Sequence, residues 1–272
     1  MSAPQWLRAF DLHRPPFSKE LGDDELWVPS SRERVVDAIV EACQERGHVL
    51  LTGEPGVGKT CVLRAVRRRL PDAGFRLTYC HNATLGRRDF YRQLCLALGL
   101  SPKATAAAVF CGITQHVREL STERVHPAFL LDEAHLLQQQ VLDHLHILAN
   151  YDWDSAALLS LVLVGLPELD QRLRLSRNRS LWSRIHTRVH LGDANPEDTA
   201  EYLHQRLVGA GRSKGNDIFD SDALAPLHEA TDGRLRNIDR AATDALKAAA
   251  RRKLKRIDRA IIQRILREDD LD

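Results

Sequence analysis

At 272 residues, with 43% hydrophobic and 28% charged content, the chain has the composition of a folded water-soluble protein, not of a disordered segment. That length buries enough surface to need no disulfide or metal for stability, and it leaves room for a core with a smaller appended domain. The net charge of +2 hides an asymmetry: residues 233–267 hold twelve Lys or Arg against three Asp or Glu. That is a local +9, so the remainder carries −7.

Residues 1–17 contain Trp6, Arg8, Asp11 and three prolines, with no apolar core for a signal peptide. The longest apolar run, Leu158–Leu166, is far short of the ~20 residues of a membrane span. A cytoplasmic protein with no membrane partner is therefore expected. The five cysteines lack C-x-x-C spacing and are odd in number, which argues for reduced thiols. His144 and His146 lack a Cys or acidic partner to complete a ligand set, and no structural metal is expected.

In chain order, apolar periodicity predicts a helix over 31–46, where Val35, Val36, Ile39, Val40 and Cys43 share a face and Gly47 ends it. Strands are predicted at 48–52, 75–80, 127–131, 158–164 and 187–191, with further helices at 59–70, 87–98, 104–121 and 138–150. Near-continuous apolar strands alternating with helices imply a five-stranded parallel sheet covered on both faces, an α/β fold. The pattern changes after Asn195. Pro196 and Glu197 open a helix in which Tyr202, Leu203 and Leu207 share a face, stopped by Gly209 and Gly211. Helices at about 221–231, 234–251 and 258–267 follow. The expected division is a nucleotide-binding core over 1–194, including the N-terminal segment 1–30, and an α-helical lid subdomain over 195–272 that carries the basic segment. Phe10 and Phe17 either border a bound base or pack into a core.

Gly53-Glu54-Pro55-Gly56-Val57-Gly58-Lys59-Thr60 fits G-x-x-x-x-G-K-[ST] in full. An apolar strand enters the loop and an amphipathic helix leaves it. Glycines let successive backbone N–H groups curl around phosphate oxygens, and the helix N-terminus favours the anion. Lys59 would reach the β- and γ-phosphates of ATP, the Thr60 hydroxyl would ligate Mg²⁺, and Cys61 closes the binding stretch. The run Ala128–Leu131 ends in Asp132 and Glu133. Asp132, beside the phosphate loop, would hold Mg²⁺; Glu133 would take the proton from the attacking water. The 72 residues between Lys59 and Asp132 allow a helix–strand–helix excursion. Asp132-Glu133-Ala134-His135 also spells the box of one helicase superfamily, but this length cannot supply a second RecA-like domain. A small-molecule kinase would carry its lid inside the core instead of after the fifth strand.

With these residues in hand, the chain resembles the ExeA-like AAA+ ATPases and the related transposition regulators of the TniB, TnsC and MuB type. The resemblance runs from Phe10-Asp11-Leu12 and Pro16-Phe17, through Leu51–Glu54, Leu131–Ala134 and Leu163–Leu169, to 233–237. It implies that Arg184, or Arg188 four residues on, is an arginine finger entering a neighbouring subunit's site. It also implies that Arg236 is a sensor-2 arginine on the γ-phosphate. A surface ion pair is the alternative for each. Two positions depart from the family pattern. Leu166 stands where a polar sensor-1 group is usual, so hydrolysis is expected to be slow or to draw on another polar group such as Asn82. Leu235 replaces the usual proline before Arg236.

ExeA-like secretion ATPases continue past this region into a membrane span and a wall-binding domain. The chain's end at Asp272 therefore favours the transposon-type relatives, as do the stretches 86–90 and 253–262. The resemblance then implies an ATPase that forms a homo-oligomeric ring or filament on double-stranded DNA and recruits or activates a transposase. Arg87, Arg88, Lys103 and Thr105 would track the DNA backbone; chance arginines at a helix start are the alternative. A protein-remodelling switch without DNA, as in secretion-system assembly, is the second function class.

Overall fold

A computed structural model describes residues 4–22, 25–80, 86–101, 106–148, 157–212 and 218–269. The elements begin with α1 (Gln5–Ala9), α2 (Ser30–Gln44), β1 (His48–Gly53), α3 (Lys59–Arg69), β2 (Phe75–Cys80), α4 (Arg87–Ala97) and α5 (Ala106–Thr122). They continue with β3 (His126–Leu131), α6 (Gln139–Leu148), β4 (Ser160–Gly165), α7 (Glu168–Leu173), α8 (Arg179–Trp182) and β5 (Ile185–Leu191). Four helices close the chain: α9 (Pro196–Gly209), α10 (Ser221–Thr231), α11 (Leu235–Arg251) and α12 (Arg259–Asp269). Among the described residues no helix is long and apolar enough to cross a membrane.

The chain forms two units. One, residues 32–54 and 59–191, holds a five-stranded parallel sheet in the order β2-β3-β4-β1-β5. Burial explains the order. Every residue of β1, β3 and β4 is buried, as continuous apolar strands require, and these three occupy the middle. The mixed strands β2 and β5 take the edges, where Arg76 and Tyr79 of β2 and alternate residues of β5 stay exposed. Phe90, Tyr91 and Leu94 of α4, Ile113 and Val117 of α5, and Leu142 and Leu145 of α6 pack with Phe129, Leu161 and Leu163 of the sheet. The predicted strands and long helices all form. The short helices α1, α7 and α8 were not predicted, because four to six residues carry too little periodicity to register. The end of α2 also differs in detail. Arg46, at φ 60, takes the left-handed turn, while Gly47 donates its N–H to Ala42 O at 2.7 Å.

The other unit comprises residues 1–31, 55–58 and 192–272. Its core joins Leu203 and Leu207 of α9 to Ala242 and Leu246 of α11 and Ile261 and Ile262 of α12. Leu7, Phe10, Leu12 and Phe17 lie in the same cluster. The N-terminal segment thus packs with the C-terminal helices, whereas the sequence division grouped it with the sheet. The apolar residues of a five-residue helix have no partner nearby in sequence, so only the folded cluster decides where they go. Asn195 caps α9, its side chain accepting from the Asp198 N–H at 2.6 Å, with Pro196 following.

Two histidines are buried at the amino ends of the central strands. His48 accepts the Leu161 N–H at Nδ1, at 3.1 Å. His126 Nε2 meets Ser160 Oγ at 2.9 Å. Burial lowers both to about 4, helped at His48 by the charges of Arg184 and His186 and at His126 by Arg46 and His48. Both are therefore neutral in the folded protein, while the unfolded chain protonates them near 6.5. Stability should be intact above about pH 6.5, fall as the pH drops, and level off with respect to these groups below about 4. Urea unfolding between pH 7 and 4 checks this, and His126→Gln should flatten the slope.

Candidate functional site

The loop expected to receive phosphate starts from β1, which ends at Gly53. Gly56 and Gly58 follow at φ 85 and φ 101, a region that side chains rarely enter. A Cβ on Gly56 would lie 2.9 Å from the Cβ of Arg236, whose N–H donates to Gly56 O at 3.3 Å. Glu54 and Pro55 are exposed and Val57 is buried, so one apolar side chain anchors the turn. Lys59 opens α3 and is itself buried. Its Nζ donates to Gly53 O at 2.8 Å and Glu54 O at 3.0 Å. Those carbonyls hold the ammonium under the loop, where a phosphate oxygen would meet it. The adjacent Thr60 is exposed and Cys61 half-buried.

β3 delivers the acids. Asp132 is 5% exposed. Its Oδ1 accepts the Glu133 N–H at 2.9 Å, and its Oδ2 accepts the Tyr79 hydroxyl at 2.8 Å. Sequence reasoning missed Tyr79, although its cause is simple. The register sets Tyr79 opposite Leu130, and Asp132, two residues beyond, projects from the same face. Burial and the hydrogen bond to Asp132 push the Tyr79 hydroxyl well above its ordinary range, so it stays a donor. Glu133 is exposed, with its backbone in the left-handed region at φ 53 and ψ 33. The acids are not on the strand next to β1: β4 lies between β1 and β3. The end of β4, at Gly165 and Leu166, is thus neighbour to both.

The remaining candidates are dispersed. Arg184 donates from Nη1 to Ser180 O at 2.9 Å. Arg188, on the edge strand, donates to Trp182 O at 3.1 Å and stacks 3.6 Å over the Trp182 ring. Arg236 is exposed on the first turn of α11 and lines a cleft of about 310 Å³ with Phe17, Lys19, Asp239, Arg240 and Lys247. Within that cleft, burial pushes the Asp239 carboxyl up to about 6 against the opposing Tyr202 hydroxyl and Arg206 charge. Arg87 starts α4 and meets His144 Nε2 at 2.8 Å; Arg88 beside it is exposed. Asn82, Lys103 and Thr105 lie outside the described residues.

Residues 41–173 match the family model described as "AAA domain". The chain is 34% identical over 247 residues to general secretion pathway protein A of Aeromonas hydrophila, covering 90% of this chain and 45% of that protein. It therefore spans less than half the length of that curated relative. Among solved structures it is similar to Drosophila ORC bound to DNA, with TM-score 0.70, 20% identity and coverage of 97% of this chain and 66% of that one. It is also similar to the Aeropyrum pernix ORC2 protein in ADPNP–ADP complexes, with TM-score 0.72, 16% identity, and 94% and 71% coverage. The fold is that of an α/β P-loop NTPase. The AAA-domain match and the secretion-pathway relative both support an AAA+ ATPase.

In such a loop, a Cβ at Gly56 strains the backbone and displaces the neighbouring Arg236. Gly56→Ala should lower adenine-nucleotide affinity at least about tenfold while leaving the sheet folded. Titration with a fluorescent ATP analogue, beside a circular-dichroism melt, reads both. Unchanged affinity would remove this glycine from the site.

Proposed function

We propose that the chain is an AAA+ ATPase that hydrolyses ATP, assembles as a homo-oligomer on double-stranded DNA, and regulates transposition by recruiting or activating a transposase. The carrying observation is the buried Lys59 ammonium, held on the Gly53 and Glu54 carbonyls just after the positive-φ glycines Gly56 and Gly58, with Asp132 and Glu133 following β3 of the same sheet as β1. The loop from Gly53 to Cys61 would receive the triphosphate: its N–H groups donate to phosphate oxygens, and Lys59 answers the charge of the β- and γ-phosphates. The Thr60 hydroxyl and the Asp132 carboxylate are hard oxygen donors of the kind Mg²⁺ takes. Bound Mg²⁺ would supply charge neutralisation at the phosphates. Tyr79 fixes one oxygen of Asp132, leaving the carboxylate's remaining lone pairs for the ion's water shell.

Glu133 accepts a proton from the water that attacks the γ-phosphorus; the bond to the bridging oxygen breaks, giving ADP and phosphate. Arg184 is assigned as the finger reaching a neighbouring subunit's nucleotide. Arg188, stacked on Trp182, is assigned to the surface. Arg236, seated against Gly56, is retained as the γ-phosphate sensor.

The DNA reading rests on charge. Residues 251–256 are exposed throughout and include Arg251, Arg252, Lys253, Lys255 and Arg256. Lys255 donates to Ala9 O and Arg256 pairs with Asp220. The side chains of Arg251, Arg252 and Lys253 make no hydrogen bond or ion pair among the described residues, and Arg251 and Lys253 share a cleft of about 460 Å³ with Trp6. A solvated cationic face with an aromatic ring beside it fits a phosphate backbone. Arg87 and Arg88 are retained as further backbone contacts. A second reading, ATP-driven remodelling of a protein complex without DNA, is favoured by the similarity to general secretion pathway protein A.

Glu133→Gln should keep magnesium-dependent ATP affinity, abolish turnover, and trap the assembled state on random duplex in negative-stain images. Lys59→Ala should bind no nucleotide and assemble nothing. Reversing Arg251, Arg252 and Lys253 to Glu should weaken duplex binding at least about tenfold and lower the log–log salt slope by about two to three. Nucleotide-driven assembly indifferent to duplex would select the second reading. Absence of magnesium-dependent affinity in the wild type would reject both.

A further inference from the structure

We propose that His135 is the positioning residue for Glu133, fixing the general base from the turn that follows β3. The inference rests on the ATPase reading above and deepens it. A general base must be aimed at one water, and misplacement of about 1 Å can cost about 100-fold. Glu133 is badly suited to aiming itself. Its side chain is 49% exposed, and its backbone is held left-handed, where a residue with a Cβ is strained. Leu166, at the end of the intervening strand β4, offers no polar side chain. The side chain paired with the Glu133 carboxylate is that of His135, whose Nδ1 lies 3.5 Å from Oε2.

His135 is itself held, at its main chain and at its ring. It sits in the 3-10 turn Ala134–Leu136, and its side chain is only 10% exposed. The carbonyl of His135 accepts from Nη1 of Arg172 on α7 at 3.1 Å. From β4, the Leu166 N–H points at Nδ1 at 3.4 Å. Gly165 makes this approach possible: a Cβ there would stand 3.1 Å from His135 N and 3.2 Å from Nδ1. One ring nitrogen therefore faces both a main-chain donor and a carboxylate, and it can serve only one at a time. Carrying a proton, Nδ1 donates to Glu133 and fixes its rotamer. As the bare acceptor of the Leu166 N–H, it lets the carboxylate go. The aim of the base is thereby tied to where β4 ends, with main chain and imidazole standing in for a polar side chain at position 166.

The test measures kcat, KM and ATP-analogue affinity for wild type, His135→Ala, His135→Asn, Gly165→Ala and the double variant His135→Ala with Gly165→Ala. His135→Ala should lower kcat about 10–100-fold with KM and analogue affinity within about twofold. His135→Asn, which places an amide near Nδ1, should recover most of the loss. Gly165→Ala should lower kcat similarly, and the double variant should be no worse than His135→Ala alone, the non-additivity of two changes acting through one contact. If His135→Ala leaves kcat unchanged, or lowers kcat, nucleotide affinity and melting temperature together without rescue by Asn, the assignment is overturned. A wild type without ATP turnover overturns the ATPase reading beneath it; a wild type that turns over while every variant matches it overturns this inference alone.

Discussion

An anion can be held by main chain only where that chain turns tightly and is braced from below, and the loop after β1 has the positive-φ glycines and the buried strand that such a turn needs. Positive φ at Gly56 and Gly58 bends the backbone, and a strand buried along its whole length fixes where the bend begins. The Lys59 ammonium sits under the turn on two carbonyls. A buried ammonium is costly unless its hydrogen bonds are made. The loop makes them in the described state, and a phosphate would add a counter-charge.

The sheet then fixes what surrounds that loop. Because β4 separates β1 from β3, the glycine loop and the acids do not follow neighbouring strands, and the end of β4 sits between them. That strand end has only main chain to offer for hydrogen bonding, since Gly165 has no side chain and Leu166 no polar group. The groups around Asp132 and Glu133 come instead from an edge strand, through Tyr79, and from the turn after β3, through His135. Each makes its contact by register and close approach.

The helical unit follows a different logic. Its core is a set of amphipathic helices whose buried faces collect small and branched side chains, with Ala242, Ala245 and Ala249 of α11 fully covered. The N-terminal segment supplies Leu7 and Phe10 to the same core. The opposite faces are free to carry charge, and the link between α11 and α12 gathers it at low cost because every residue from 251 to 256 is exposed. Concentrating cations where they are solvated preserves stability and leaves them available to a polyanion.

Local chemistry is written in order along the chain, so a short window suffices to read it. The glycines and lysine of the phosphate loop, the apolar strands with their order of appearance, the Asp132–Glu133 pair and the basic stretch before α12 were all legible this way. Spatial order and long-range contacts were not. Nothing local places β4 between β1 and β3, sends residues 4–17 to the helices some 200 positions away, or brings the Tyr79 hydroxyl to Asp132. The position of the His135 ring against the Leu166 amide likewise depends on two strand ends coming within a few ångströms. Windows of sequence record periodicity and turn chemistry; which ends meet is decided only when the whole apolar surface is buried at once.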